Sequence, residues 1–249
     1  MLKVSILTAS FNCASTIRQT IESALAQDYP NIEYWVIDGG STDETLSILK
    51  TFEGQINYIS EPDKGIYDAI NKGLERSTGD IIGMIGADDF YPSNDVISAV
   101  VKSFEQTSAL ALYGDKQYVD ADKTDKIVRN WVAGPYQNSN WLVGWMPPHL
   151  SFYTSRKLLE QTGKYRTDFT CSGDYEWMLR ALYNKEVKVT YLPKVLVRMR
   201  TGGTSNASFK HRLKANLEDR KAWEINGLKP YFFTLFLKPL RKITQLLII

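Results

Sequence analysis

Residues 81–91 read Ile81-Ile82-Gly83-Met84-Ile85-Gly86-Ala87-Asp88-Asp89-Phe90-Tyr91, a short apolar run that ends in two adjacent carboxylates and an aromatic pair, with Pro92 next. β-Branched Ile beside Gly and Met over strand length is the pattern of a buried strand, so the carboxylates emerge at its carboxyl end. At that edge open α/β sheets bind their ligands. Two neighbouring Asp side chains repel each other unless donors or a cation compensate them, and a hard divalent ion with oxygen ligands is the usual compensator. A metal carrying a diphosphate fits that description. The plainer alternative is a polar turn in which Asp88 caps a helix.

Outward from this run, strand and helix alternate. Val4–Thr8 reads as a strand, and Ile17, Ile21, Ala24 and Leu25 then fall at helical spacing over residues 16–27. A second strand over 31–37 ends in Asp38-Gly39-Gly40-Ser41-Thr42-Asp43-Glu44, and Leu46, Ile48 and Leu49 continue into a second helix. A third strand over 56–60 leads through Glu61-Pro62-Asp63-Lys64-Gly65 into a helix over 66–76, and the 81–85 strand follows. This repetition predicts an α/β fold, a mostly parallel sheet with flanking helices. Acids end two of its strands, Asp38 at one and Asp88-Asp89 at the other. No Gly-x-Gly-x-x-Gly follows the first strand and no Gly-Lys-Ser/Thr loop occurs, so the dinucleotide and P-loop versions of this architecture are unsupported. The phosphates then need another neutraliser, which a metal on Asp88-Asp89 supplies, helped by Lys64 or a later basic residue.

Composition excludes several classes. In 249 residues, 43% hydrophobic and 23% charged, the chain is an ordinary globular one, neither disordered nor fibrous. A formal charge of +2 is too small to imply nucleic acid as a partner. Two cysteines, Cys13 and Cys171, are too few for a disulfide framework or a structural zinc site, which favours a reducing compartment. The N-terminus lacks the long apolar run of a secretory signal, and the expected location is cytoplasmic.

Ser10-Phe11-Asn12, the Asp38-to-Asp43 turn, the stretch from Asp63-Lys64-Gly65-Ile66-Tyr67-Asp68 to Asn71-Lys72-Gly73, and Asp88-Asp89 together, in this order, resemble the family-2 glycosyltransferases with the GT-A fold. The resemblance implies an inverting transferase that takes a sugar from a nucleotide diphosphate, usually UDP, with Mn or Mg. It implies that Phe11 stacks on the base and that Asp38 pairs with the uracil edge. It places Asp88 toward the ribose and makes Asp89 the metal ligand. Ala9 stands two residues before the aromatic, where some relatives carry a threonine at the base site. Lys64 and Asp68 join the donor-site candidates. Read from the residues alone, each has a structural alternative: Phe11 as core, Asp38 as a cap on the glycine turn, Lys64 as a solvated turn residue, Asp68 as part of a polar helix face.

The second half changes character. A helix with Val96, Val100, Val101 and Phe104 and a strand over 109–115 close a nucleotide-sugar-binding half, 1–115. Residues 116–140 are polar without a sustained period and read as the crossover into an acceptor-binding half, 116–225. Trp131, Tyr136, Trp141 and Trp145 form an aromatic cluster that either stacks on sugar rings or builds core. His149, after Pro147-Pro148, sits where relatives carry a donor-site His; a hydrogen-bonded structural His is the alternative. In Cys171-Ser172-Gly173-Asp174-Tyr175-Glu176, helical spacing of Tyr175, Met178, Leu179 and Leu182 puts Asp174 in a first turn, where the helix dipole favours its ionised form, as a general base requires. The resemblance makes Asp174 that base, with Gly173 in the place where the family often has Glu. The alternative is charge compensation of a helix N-terminus. Arg198 and Arg200 precede a glycine loop, 201–205, that either closes on a diphosphate, with Arg200 pairing to it, or stays a solvated loop.

The tail, 226–249, mixes aromatic and aliphatic residues with Lys229, Lys238, Arg241 and Lys242 and is interrupted by Pro239, so it falls short of a spanning helix. Apolar and basic together suit an amphipathic helix, residues 228–249, in an anionic membrane surface, with an oligomer contact or a docked helix as alternatives. The expected protein is thus a metal-dependent transferase using a UDP-sugar donor and a saccharide acceptor, lipid-linked in surface-polysaccharide assembly, peripheral on the inner face of the membrane. A homo-oligomer is compatible with this. Its rivals are a catalytically silent nucleotide-sugar-binding regulator, against which the intact Asp88, Asp89 and Asp174 speak, and a nucleotidyltransferase, against which the missing basic phosphate loop speaks.

Overall fold

The structure is a computed structural model that describes residues 1–202 and 209–238, for 209–212 the backbone alone. Its elements in chain order are β1 (Val4–Ser10), α1 (Ile17–Leu25), β2 (Ile32–Asp38), α2 (Thr45–Lys50), β3 (Asn57–Ser60), α3 (Ile66–Arg76), β4 (Ile81–Met84), β5 (Asp89–Phe90), α4 (Val96–Thr107), β6 (Ala111–Val119), β7 (Ile127–Trp131), β8 (Phe152–Ser155), α5 (Arg156–Thr162), α6 (Gly173–Leu182), β9 (Val189–Arg200) and α7 (Phe209–Ile225). One sheet runs β3-β2-β1-β4-β8-β6-β9-β5, with β7 added on β6. The first four strands of this order are parallel, as the strand-helix alternation requires. β8 then enters antiparallel between β4 and β6, and β9 runs parallel to β6.

Helices cover both faces of this sheet, and β1 shows why. Its side chains alternate, so Val4 and Ile6 join α1, α2 and α4 in one core, while Leu7 joins α3, α5, α6 and α7 in the other. A strand buried on both faces carries no charged stripe: β4 is wholly apolar, and the polar residues of β1 are the small, buried Ser5, Thr8 and Ser10. The helix expected over 66–76 has those bounds, and α1 and α2 occupy the expected segments.

Two features differ from the sequence reading, and a third decides between alternatives it left open. The central run stops pairing at Met84, and Asp89-Phe90 forms a separate two-residue strand against Met199 and Arg198 of β9. The strand expected over 109–115 continues to Val119 and turns back as β7, so the supposedly aperiodic 116–140 segment holds a hairpin, and the sheet runs through the 115/116 division. In the aromatic cluster, Trp141 and Trp145 are core, packed edge to face at 6.4 Å, whereas Trp131 lies on β7 and is half-buried. Among the described residues no helix is long and apolar enough to cross a membrane.

Candidate active site

The carboxyl ends of the parallel strands meet in register. Ser10, Asp38 and Ser60 are neighbours across β1, β2 and β3, and both serine hydroxyls donate to the buried Asp38, at 3.2 and 2.7 Å. Ser41 adds its backbone N–H at 2.9 Å and its hydroxyl at 2.5 Å. Asp38 therefore braces the glycine turn after β2 with both oxygens. Beside it, Asn12 takes a positive φ of 49°, and it ties the two loops together by donating its N–H to the Ser41 hydroxyl and accepting from the Thr42 N–H, both at 2.8 Å. This turns the chain so that Phe11 stands 62% exposed at the mouth of the strand edge. An aromatic held outward next to a polar brace is a surface on which a planar ring can stack. Ala9, one strand pitch inside, is half-buried with no polar group.

Deeper in the cleft, Asp88 is half-buried and Asp89 is 1% exposed. Both Asp89 carboxylate oxygens are buried without a hydrogen-bond partner. Burial first, and then the Asp88 charge, push the Asp89 carboxyl up to about 8, with Lys116 and Arg200 pulling the other way. Gly86 makes this crowding possible, since a Cβ there would stand 2.5 Å from Asp89 Oδ2 and 3.1 Å from Asp88 Oδ1. Backbone anchors fix the turn: the Thr20 hydroxyl donates to the Asp89 carbonyl at 2.6 Å, and Arg200 donates to the Asp88 carbonyl and to Gln19 Oε1. Arg200 also lies 5.3 Å from the Phe90 ring. As placed, it bridges the Asp88 turn and α1. The loop beyond Gly202 lies outside the described residues up to 208.

These residues fit a divalent cation. A buried carboxyl with neither oxygen hydrogen-bonded, next to a second acid, is what a hard ion would satisfy. Among the described residues no group of three or more His, Cys, Asp or Glu gathers for a metal. That suits an ion that takes one or two carboxylates from the protein and the rest of its shell from water and phosphate.

The opposite wall is aromatic and acidic. Asp174 lies in the first turn of α6, half-buried, and Tyr67 Oη donates to its Oδ1 at 3.4 Å. Burial and the Asp174 charge raise the Tyr67 phenol far above its ordinary range, so it stays a donor. Tyr67 stacks on Tyr165 at 5.9 Å, and Tyr165 stacks on Trp177 at 5.4 Å. The half-buried His149 meets Tyr165 Oη at 3.2 Å. Burial lowers the His149 pKa; Asp174 opposes this and Lys116 adds to it. Lys116, 7% exposed on β6, thus acts electrostatically on both His149 and Asp89, as Asp174 acts on His149. Its ammonium lies 3.2 Å from Met199 Sδ and 4.4 Å from the Trp131 ring centroid.

Two donor-site candidates, Lys64 and Asp68, meet in the turn into α3. Asp68 Oδ2 accepts the Lys64 N–H at 3.0 Å and lies 3.8 Å from Lys72, so it caps the turn into α3, and the Lys64 side chain is exposed. Tyr67, one residue earlier, is the member of that motif that reaches Asp174. Lys116, Tyr67 and Tyr165 were not singled out as site residues in the sequence. Tyr67 stands in the Ile66-Tyr67-Asp68 stretch and at a buried helical position, which read as core; Lys116 had no legible signal, since a lone lysine looks solvated.

The fold and the cleft together define a GT-A nucleotide-sugar transferase. The family model described as "Glycosyl transferase family 2" matches residues 5–186, and the chain belongs to that family. An uncharacterized glycosyltransferase of Mycobacterium tuberculosis is 33% identical over 184 residues, 72% of this chain and 68% of that protein. Among solved structures, Staphylococcus aureus TarS 1-349 in complex with UDP-GlcNAc is similar with TM-score 0.69 at 15% identity, over 95% of this chain and 69% of that one. The longer TarS chain is covered to 42%. The Pyrobaculum calidifontis mannosyltransferase PcManGT in complex with GDP-Man and Mn2+ is similar with TM-score 0.69 at 21% identity, over 95% and 69%.

Proposed function

We propose that this glycosyltransferase is metal-dependent and inverting, moving a hexosyl or N-acetylhexosaminyl group from UDP to a hydroxyl of a saccharide acceptor. The observation that carries the reading is the buried Asp89 carboxyl, neither oxygen hydrogen-bonded, beside Asp88 at the sheet edge. Phe11 offers the face on which the base stacks, and Asp38 the acid near its edge, once the serine donors share it. Asp88 and Asp89 would hold a divalent ion, Mn or Mg. That ion supplies charge neutralisation of the leaving diphosphate. Asp174 takes the proton from the acceptor hydroxyl, with Tyr67 donating to its Oδ1 and keeping the carboxylate oriented. The hydroxyl then attacks the anomeric carbon opposite the diphosphate, and one displacement inverts the configuration. His149, kept neutral by burial, and Lys116 stand where they can bind phosphate or sugar oxygens. Tyr67 and Tyr165, backed by the buried Trp177, present an apolar face that keeps water from competing with the acceptor.

The acceptor in this reading is lipid-linked, met at the inner face of a membrane. Phe232, 85% exposed, and Phe236, 64% exposed, lie with Tyr231 on the outer side of the 231–238 segment and support it. Lys238 is withdrawn from that surface, being ion-paired to Asp219 at 2.7 Å, while Arg241 and Lys242 lie outside the described residues. The test of the donor site is calorimetric titration of UDP and UDP-sugars, with Mn or with chelator, on the wild type and on Asp89→Ala. Metal-dependent UDP binding, lost in the variant, is expected. Binding of GDP or dTDP but no uridine nucleotide would overturn the UDP assignment and leave the transferase; metal-independent binding would overturn the role of Asp89.

A further inference from the structure

The start of α6 is not capped from within. Its N-cap residue, Ser172, makes no side-chain cap to the helix, and its hydroxyl donates instead to the Ala215 carbonyl at 3.1 Å. Yet the three residues leading into the helix all aim their backbone N–H groups at one point. Glu218 of α7 accepts from Thr170 N–H at 3.1 Å, from Cys171 N–H at 2.8 Å and from Ser172 N–H at 2.9 Å, and from the Thr170 hydroxyl at 2.8 Å. Glu218 is 8% exposed. Burial raises its carboxyl, but these hydrogen bonds outweigh burial and hold it below the usual range. A charged acceptor shared by consecutive N–H groups is a strong and directional fastening.

We infer that Glu218 is a positioning residue that sets the Asp174 carboxylate by gripping the 170–172 backbone from α7. The inference rests on the reading of Asp174 as the base. Asp174 is two residues past this grip. On the other side the turn is pressed by Tyr67, whose ring would lie 2.7 Å from a Cβ at Gly173. The first turn of α6 is therefore held between Glu218 and Tyr67, and these contacts define where Asp174 points. None of them belongs to the donor end of the cleft, which β1, β2 and β4 build. An error of about 1 Å in a base costs turnover, whereas donor binding is made elsewhere.

The experiment uses the full chain with Glu218→Ala, Glu218→Gln and Asp174→Asn, each checked by thermal melting. It measures calorimetric binding of UDP with Mn, and UDP release from UDP-glucose, UDP-galactose and their N-acetyl forms. Glu218→Ala is expected to leave the UDP affinity and the donor KM within about threefold while kcat falls roughly tenfold or more. Glu218→Gln is expected to recover part of kcat, since one oxygen still faces the Cys171 and Ser172 N–H groups. Amide hydrogen exchange over 170–176 is expected to rise in Glu218→Ala. Wild-type kcat per folded molecule in Glu218→Ala, or a loss confined to donor KM, would overturn the positioning role. Undiminished turnover in Asp174→Asn would instead overturn the base, a distinct result.

Discussion

Asp89 has given up water on both carboxylate oxygens and received no donor in exchange, an expensive arrangement for an ion. The group avoids the cost by holding a proton, with its carboxyl raised from 3.8 to about 8 by burial and by Asp88. Between those two values the folded chain binds more protons than the unfolded one, so stability falls as pH rises through that window and is lowest, in this respect, above it. Asp89→Asn removes the ionisation and keeps the shape. In chelator, the variant is expected to melt above the wild type at pH 9, by roughly 5–10 °C if a few kcal/mol are recovered, with the gap closing toward pH 4. Added Mn is expected to raise the wild-type melting temperature and leave the variant unmoved. Melting curves at pH 5, 7 and 9 decide this, and equal curves at pH 9 would show that Asp89 carries no such burden. The same linkage makes metal affinity rise with pH, because the ion displaces a proton.

At the scale of elements, α6 brings its acid to the cleft only because its first residue has no side chain. Gly173→Ala would place a methyl 2.7 Å from the Tyr67 ring, so either the ring or the helix start must shift. The expected cost is about 1–3 kcal/mol in denaturant titration, with kcat reduced. Tyr67→Leu in the same chain should return part of the stability and none of the activity. The position of Asp174 on this first turn was legible beforehand, since Tyr175, Met178, Leu179 and Leu182 carry a helical period. So was the strand end bearing Asp38, whereas Asp88-Asp89 follow the end of β4 at Met84 by a short turn. The β6–β7 hairpin was not legible: Lys116 opposes Trp131, and Arg129 covers Tyr118 at 3.7 Å, so long cations do the covering that apolar residues do elsewhere. Nor was β5, since two residues have no period. The Glu218 grip was hidden because its acceptor and its donors stand 46 to 48 residues apart.

On the scale of the whole molecule, the parallel strands carry Asp38 and lead to Phe11, α6 carries Asp174, and the chain from α7 to residue 238 folds back onto α6. Trp223 is fully buried and donates to Tyr175 Oη at 2.8 Å, and Leu235 enters the same core. Lys238 adds to this: it reaches both oxygens of the buried Asp219 at 2.8 and 2.7 Å and covers the Tyr175 ring at 3.8 Å. Burial raises the Asp219 carboxyl even against the neighbouring ammonium, so the carboxylate depends on that ammonium to remain charged. Lys238→Met keeps the stem and removes the charge, which strands Asp219 in the core. The expected loss is about 3–5 kcal/mol, the usual cost of breaking a buried pair from one side. The pair is sheltered from solvent, so this loss should change little between low and high salt. Replacing both partners, as Asp219→Leu with Lys238→Met, should recover most of it, because the fold then buries no ion at all. Urea titration of the two single variants and the double variant decides the matter. Additive losses in the double variant would mean that the two side chains contribute separately and that their pairing itself adds nothing.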